Sequence, residues 1–290
     1  MIKVGTHCSG IEAPIQALNN LCIPHEHVFS CEIDKHAIKS LKANFNPQFL
    51  YKDIKDIPQD HKVDLYVCGF PCQPFSMAGK RKKQDDSRNL FPYVFDYIKK
   101  NTPKSFILEN VQGLVSTEYF KTILSNLDEL DYIINYKILN TRDYVVPQNR
   151  KRLYIIGTKL PFEWPDKKDC QQFYNEIEVP GDDKPPTTKQ SINEIINNSE
   201  ANYLNLGFQN FKKDYYKDYS PTLLTTSTHY NVKMKRKATI KELLALQGMK
   251  TDFKQVVSYS QMKKQIGNSM SVNVLEEIIK QLKKSNNILL

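Results

Sequence analysis

The sequence is poor in the features that would take it out of the ordinary globular class. It has no apolar run long enough to span a bilayer and no cleavable leader pattern, and the expectation is a cytoplasmic protein. The six cysteines, Cys8, Cys22, Cys31, Cys68, Cys72 and Cys170, contain no Cys-x-x-Cys pair, and Cys68 and Cys72 are separated by three residues. With only six histidines spread along the chain, no metal site is expected, and the thiols are expected to be reduced. What is present is a modest excess of cations. Lys+Arg number 41 against 32 Asp+Glu, a net charge of +9, which suits a polyanionic partner, although solvated lysines alone account for such a balance as readily. A chain of 290 residues can bury one large core and carry a smaller second domain.

Apolar periodicity alternates down the first half. Ile2–Thr6, His27–Ile33, Phe49–Ile54, Val63–Cys68, Ser105–Val111, Tyr132–Asn140 and Leu153–Lys159 read as strands. Ile11–Leu21, Lys35–Phe45, Leu90–Lys100 and Ser116–Leu130 read as helices, as does Val272–Lys284 near the end. Such alternation predicts an α/β fold with a doubly wound, mainly parallel sheet, whose ligands bind at the carboxyl ends of the strands.

Three segments carry chemistry. The first is Gly69-Phe70-Pro71-Cys72-Gln73-Pro74-Phe75-Ser76, in which Gly69 and Pro71 stop a strand and leave a cysteine just past its end. A cysteine taken at random is more often a small buried hydrophobe. The second is Ser105-Phe106-Ile107-Leu108-Glu109-Asn110-Val111, a strand pattern ending in a carboxylate, and the third is Gln148-Asn149-Arg150-Lys151-Arg152. Taken singly, these are a salt-bridged strand end and a solvated charge run. Together they supply a thiol to attack a ring and charged groups to hold it.

Pro-Cys-Gln, Glu-Asn-Val, Gln-x-Arg-x-Arg and the terminal Gly267-Asn268-Ser269-Met270-Ser271-Val272-Asn273-Val274-Leu275 occur in this order over nearly the whole chain. In this the sequence resembles the C5-cytosine-specific DNA methyltransferases of prokaryotic and phage type, except between about Pro161 and Tyr219, where that family varies most. The resemblance implies a Rossmann-like, S-adenosylmethionine-dependent sheet with helices on both faces. It also implies a catalytic and cofactor-binding domain over 1–180 plus 262–290 and a small target-recognition domain over 181–261. S-adenosylmethionine is the implied cofactor and S-adenosylhomocysteine the product. Double-stranded DNA is the implied partner of a monomeric protein, with a cognate restriction endonuclease as a candidate companion.

For the cofactor, the turn Cys8-Ser9-Gly10-Ile11 opens a helix whose free N–H groups suit a carboxylate. The family usually shows Phe-x-Gly-x-Gly here; this chain has Cys8 for the aromatic and Glu12 for the second glycine, and Glu12 is expected to turn away or pair with a cation. Glu32 aligns with the family's ribose carboxylate, with Ile33 beside it, and Asp53 and Ile54 suit the adenine. By resemblance Gly69, Pro71, Leu90, Asn268, Ser269 and Met270 complete the pocket.

In the implied reaction the Cys72 thiolate adds to C6 of cytosine, which makes C5 nucleophilic toward the methyl group. Glu109, with a raised pKa, supplies a proton or hydrogen bond at N3. Arg152 holds O2, while Arg150 orients the loop or neighbouring phosphates and helps lower the thiol pKa. A base, most simply water, then removes the C5 proton and Cys72 departs. Since C6 is unreachable in a duplex, the target base must leave the stack. Gln73, Ser76, Lys80, Arg81 and Arg88 are candidate DNA contacts on a basic loop, and Thr222, Leu223, Lys235 and Arg236 on the recognition side, where a solvated face is the simpler reading of the basic cluster. Phe208, Phe211, Tyr215, Tyr216 and Tyr219, with Lys212, Lys213 and Lys217, either meet DNA or form a small core. Two alternatives remain at this point: a tRNA cytosine-5 methyltransferase, disfavoured because no Cys-Phe-Thr signature is present, and a catalytically inactive DNA-binding relative, conceivable because of Cys8 and Glu12.

Overall fold

The computed structural model describes residues 1–56, 61–71, 89–168, 196, 199–206 and 218–288. The catalytic candidate Cys72, the loop candidates Gln73, Ser76, Lys80, Arg81 and Arg88, the aromatics and lysines of 208–217, and Cys170 lie outside those residues.

Strand-forming runs at the start of the chain pair in parallel because helices of about ten residues separate them. In order come β1 (Ile2–His7), α1 (Ala13–Asn20), β2 (His25–Cys31), α2 (Lys35–Asn44), β3 (Phe49–Tyr51), β4 (Leu65–Cys68), α3 (Phe91–Asn101), β5 (Ser105–Val111) and α4 (Glu118–Asp128). Then follow β6 (Ile133–Asn140) and β7 (Lys151–Thr158). The sheet has seven strands in the order β3-β2-β1-β4-β5-β7-β6. Its first five strands are parallel, while β7 runs antiparallel to both β5 and β6. The expected mainly parallel α/β sheet is thus present, and its strand order reverses between β1 and β4, which places a crevice at their carboxyl ends.

Alternation along single strands shows why both faces are covered. Leu65 and Val67 of β4 join one apolar cluster with Leu18 and Ile279, whereas Tyr66 and Cys68 join the other with Val94, Ile98 and Ile123. A strand buried on both sides reads as a continuous apolar run rather than an alternating one. β3 is shorter than the sequence suggests: after Tyr51 the chain turns into a 3-10 segment at Ile54–Asp56, with the Asp53 carboxylate accepting from Lys55 N at 3.0 Å. β7 begins two residues earlier than expected, which brings Arg152 inside the strand opposite Val111.

A three-stranded antiparallel sheet, β8 (Tyr203–Asn205), β9 (His229–Asn231) and β10 (Arg236–Lys237), has its own small cluster of Ile196, Ala201, Leu204 and Tyr230. The next helix, α5 (Ile240–Leu246), begins with a capping box between Thr239 and Glu242. The Glu242 carboxylate also binds Arg236 at 2.9 and 3.0 Å and accepts from Asn231 at 3.0 Å, all buried. Arg236 was expected at the DNA; instead its charge is satisfied internally, and Lys233, Lys235 and Lys237 are the exposed members of that cluster. Leu243, Leu244 and Leu246 of α5 pack into the main core, although the sequence assigns this segment to the recognition part. The following α6 (Tyr259–Asn268) was not anticipated, because it buries only Met262, Gln265, Ile266 and Gly267 and looks polar. At Gly267 a Cβ atom would stand 2.6 Å from the Leu224 carbonyl carbon, so a glycine is required inside this helix. α7 (Val272–Lys284) spans the residues expected and returns to the main core.

A second close approach lies under β1, where a Cβ on Gly5 would meet the Phe29 ring at 2.1 Å. Gly5→Ala is expected to cost about 1–3 kcal/mol through overpacking, seen as a lower urea midpoint with an unchanged m value.

Candidate active site and cofactor pocket

The carboxyl ends of β1, β2, β4 and β5 surround a cavity of about 600 Å³, within the range of ligand pockets. Of the expected cofactor residues, Cys8 and Gly10 line it from the first turn, Glu32 and Ile33 from the end of β2, and Asp53 and Ile54 from the third turn. Gly69, Pro71, Leu90 and Asn268 line it as well. A smaller recess of about 30 Å³ shares Cys8, Gly10, Gly69 and Asn268 with the cavity and adds Ser9, Ser269 and Met270. Ile11 differs: its side chain is fully buried in the main core and supports the turn from behind.

The donor set fits a nucleoside cofactor at the β2 end. Glu32 accepts from Gly10 N at 2.7 Å and from Asp34 N at 2.8 Å. Burial raises its pKa while those backbone N–H groups pull it down. A carboxylate so anchored keeps lone pairs for ribose hydroxyls. The Gly10 N–H, expected to face a carboxylate of the cofactor, is engaged by Glu32 instead. Sequence reasoning passed over Asp34 and Lys264, which form an ion pair of 3.0 Å between α2 and α6 beside the cavity. Asp34 also caps α2, accepting from His36 N and Ala37 N, a role its place before a helical run signals; nothing in the sequence flags Lys264. Asn110, also passed over, donates to Phe70 O at 3.0 Å and pins the chain just before Pro71. Among the described residues, no group of three or more His, Cys, Asp or Glu is placed to hold a metal.

Glu12 turns away from the cavity into the protein. Its side chain is fully buried, and its Oε1 accepts from Thr6 Oγ1 at 2.7 Å and from Ser30 Oγ at 2.6 Å, with His27 Nε2 at 3.5 Å. Its backbone is left-handed, with φ 59°, a conformation that costs a non-glycine residue about 1–2 kcal/mol.

The catalytic candidates meet across β5 and β7. Glu109 lies opposite Tyr154 and Arg152 opposite Val111, so the two side chains are diagonal neighbours on one face. Arg152 Nε approaches Glu109 Oε1 to 3.2 Å, and both residues line the cavity. Burial pushes the Glu109 carboxyl above its ordinary value, and the nearby charges of Arg152 and Arg150 restrain that rise. Arg150 does something else. It is 2 % exposed, and its guanidinium donates to Leu223 O at 2.7 Å, Ser269 O at 2.7 Å and Gly267 O at 3.2 Å. Burial lowers its pKa to about 9, and three carbonyl acceptors keep it charged at neutral pH. The expected contact with phosphates is not available to a guanidinium spent in this way.

Gln148 works alongside it, donating to Leu246 O at 2.6 Å and Gln247 Oε1 at 2.9 Å while accepting from Leu223 N at 2.9 Å. Leu223, expected at the DNA, is buried in the main core and contributes through its backbone. Thr222 stays half-buried, its hydroxyl donating to Asn149 O at 2.5 Å. Lys235 is exposed, as a DNA contact requires. Arg150→Met is expected to orphan three buried carbonyls and cost about 3–5 kcal/mol, measured as a fall in the denaturation midpoint; Arg152→Met, at the cavity wall, is expected to cost less than half as much in the same assay.

Comparison with known proteins agrees with this geometry. The sequence profile of the C-5 cytosine-specific DNA methylases matches residues 7–231 and 209–284. The chain is 36 % identical to the type II methyltransferase M1.ScrFI of Lactococcus lactis subsp. cremoris, over 88 % of this chain and 71 % of that protein. It is 35 % identical to M.NgoBI of Neisseria gonorrhoeae, covering 86 % and 84 % of the two chains. In fold it is similar to a putative DNA modification methyltransferase encoded within an E. coli prophage, with a TM-score of 0.75 and 22 % identity over 99 % of this chain and 100 % of that one. A cavity at the reversal of strand order, a buried glutamate paired with an arginine on its wall and a profile match along most of the sequence lead to one assignment: the chain belongs to the C-5 cytosine-specific DNA methylase family and is a DNA (cytosine-5-)-methyltransferase.

Proposed function

We propose that this protein transfers the methyl group of S-adenosylmethionine to C5 of a cytosine swung out of a short, specific DNA sequence, through a transient bond between Cys72 and C6. The observation that carries this reading is the buried Glu109 with its raised pKa, held 3.2 Å from Arg152 on the wall of a cavity that Pro71, the residue before Cys72, also lines.

The bound cofactor supplies an electrophilic methyl group; the remaining steps belong to the protein. Glu32, Asp53 and the turn at Gly10 hold the nucleoside end. The Cys72 thiolate forms the bond to C6, and the charge that enters the ring is relieved at N3 by a proton held on Glu109. A carboxyl kept protonated by burial suits that task. Arg152, beside it, holds O2 of the base and limits the rise in the Glu109 pKa. Once C5 has taken the methyl group, its proton is lost to water, the proton lent to N3 returns to Glu109 and the Cys72 thiolate departs, which restores the free enzyme. Residues 181–261 are the proposed recognition unit, with Thr222 and Lys235 on the DNA side, and a restriction endonuclease of the same specificity is the proposed companion.

Transfer of a radiolabelled methyl group to unmethylated duplex DNA and, in parallel, to unmodified tRNA tests the reading. Label on DNA with wild type and none with Cys72→Ala is the expected outcome; label confined to tRNA, or undiminished label with the variant, would sink it. The pH profile gives a second test. A raised Glu109 pKa keeps the acid protonated above the usual carboxylate range, so kcat/KM should fall as pH rises through that value. Glu109→Gln should lower kcat by about 10²–10⁴-fold and abolish this alkaline limb. The same substitution reads out in stability. Ionising a buried carboxyl is penalised in the folded state, a penalty that grows as pH rises above the unfolded value of about 4.3. The melting temperature of Glu109→Gln relative to wild type should therefore be higher at about pH 8 than at about pH 4.

A further inference from the structure

Beneath the cofactor turn lies a chain of buried hydrogen bonds that the proposed chemistry does not use, and Glu12 is at its centre. Two hydroxyls, Thr6 Oγ1 from β1 and Ser30 Oγ from β2, both donate to Glu12 Oε1. Each hydroxyl has one proton, and both protons are thereby spent. Thr6 Oγ1 also lies 2.7 Å from Ser9 Oγ, whose single proton has Thr6 O and Cys31 O within 3.1 Å as well, and Ser30 Oγ is left to accept from His27 Nε2 at 2.8 Å. Ser9 Oγ in turn accepts from Cys31 N at 2.8 Å, while Ser9 N donates to Cys31 O at 3.0 Å. Cys31 is the last residue of β2, and the next residue, Glu32, receives the Gly10 N–H. One acceptor, Glu12 Oε1, thus fixes the two hydroxyl bonds that tie β1 and β2 together under the turn, and Ser9 joins that turn to Cys31 at the end of β2. Cys31, Glu32 and Gly10 are cavity-lining residues, whereas Glu12 is not.

The backbone at this position points the same way. Glu12 keeps a left-handed conformation that glycine would adopt without strain, and its Oε2 is buried without a hydrogen-bond partner among the described residues. Two unfavourable features persist at one residue only where the surrounding structure over-determines them.

We propose that Glu12 is a positioning residue for cofactor binding: a buried acceptor that fixes the relative placement of Gly10 and Glu32 through Thr6, Ser9 and Ser30. The proposal rests on the S-adenosylmethionine reading given above.

The test is equilibrium binding of S-adenosylhomocysteine by calorimetry, with KM and kcat measured in parallel on wild type, Glu12→Gly, Glu12→Gln and Thr6→Val. Glu12→Gly removes both the strain and the acceptor; it should weaken binding about tenfold, raise KM for the cofactor in step, and leave kcat at saturating cofactor within about twofold. Glu12→Gln retains an accepting oxygen and should stay within about threefold of wild type. Thr6→Val, which removes one donor and spares the backbone, should shift binding in the direction of Glu12→Gly, and it decides the matter if Glu12→Gly does not fold. Unchanged affinity in Glu12→Gly, in Thr6→Val where that variant decides, or a fall in melting temperature alone, would reduce Glu12 to a packing role and overturn the proposal. Equal losses in Glu12→Gln and Glu12→Gly would also overturn it. Absence of binding by the wild type would instead remove the cofactor reading, and the proposal with it.

Discussion

A charged guanidinium with no access to water has to find acceptors inside the protein, and Arg150 finds them in three backbone carbonyls from two distant parts of the chain. Leu223 lies between β8 and β9 of the small sheet, and Gly267 and Ser269 lie at the end of α6. Breaking any of these contacts leaves a buried polar group unpaired, which is far more costly than a mean hydrogen bond is favourable. The site depends on this strut, because Arg150 immediately precedes β7, which presents Arg152 to Glu109, and the same α6 end presents Asn268 to the cavity. Gln148 adds a second tie to Leu223 and to α5. The Gln-x-Arg-x-Arg motif therefore divides its work: its first two polar side chains hold the architecture together, and its last one faces the chemistry.

A similar division holds at the cofactor end. The turn after β1 is supported from below by the Glu12 hydroxyl network and from behind by Ile11, while Gly10 and Glu32 bind one another at the cavity edge. Asp34 does double duty as the cap of α2 and as the partner of Lys264. Buried polar groups tied by several hydrogen bonds are rigid, and rigidity at the carboxyl ends of parallel strands is what a site needs to present donors and acceptors in fixed places.

Much of this was readable in advance. The strand and helix alternation of the first half, the Ser105–Val111 strand and the Val272–Lys284 helix follow from apolar periodicity, which local burial enforces. Most of the residues expected to bind a cofactor line the cavity, because turn chemistry and strand ends are local features. The misplacements share one cause. Arg236 and Leu223 were expected at the DNA from charge and from position in the order of motifs, and both are buried, Arg236 by its ion pair with Glu242 on the adjoining helix α5 and Leu223 in the main core. The α6 helix was missed because a helix that buries few residues has weak periodicity.

By itself the sequence determined the strands of the main sheet and the helices between them, since each of these depends on short-range pattern and on residue type. Tertiary structure alone decided which charges are spent internally and which remain for chemistry. Arg150 and Arg152 are two residues apart, chemically identical and both at the cavity wall, yet the guanidinium of one is spent on three carbonyls and the other stands beside a buried acid. No local pattern separates them, because the difference lies in desolvation, and desolvation is set by the segments that fold over each side chain from elsewhere in the chain.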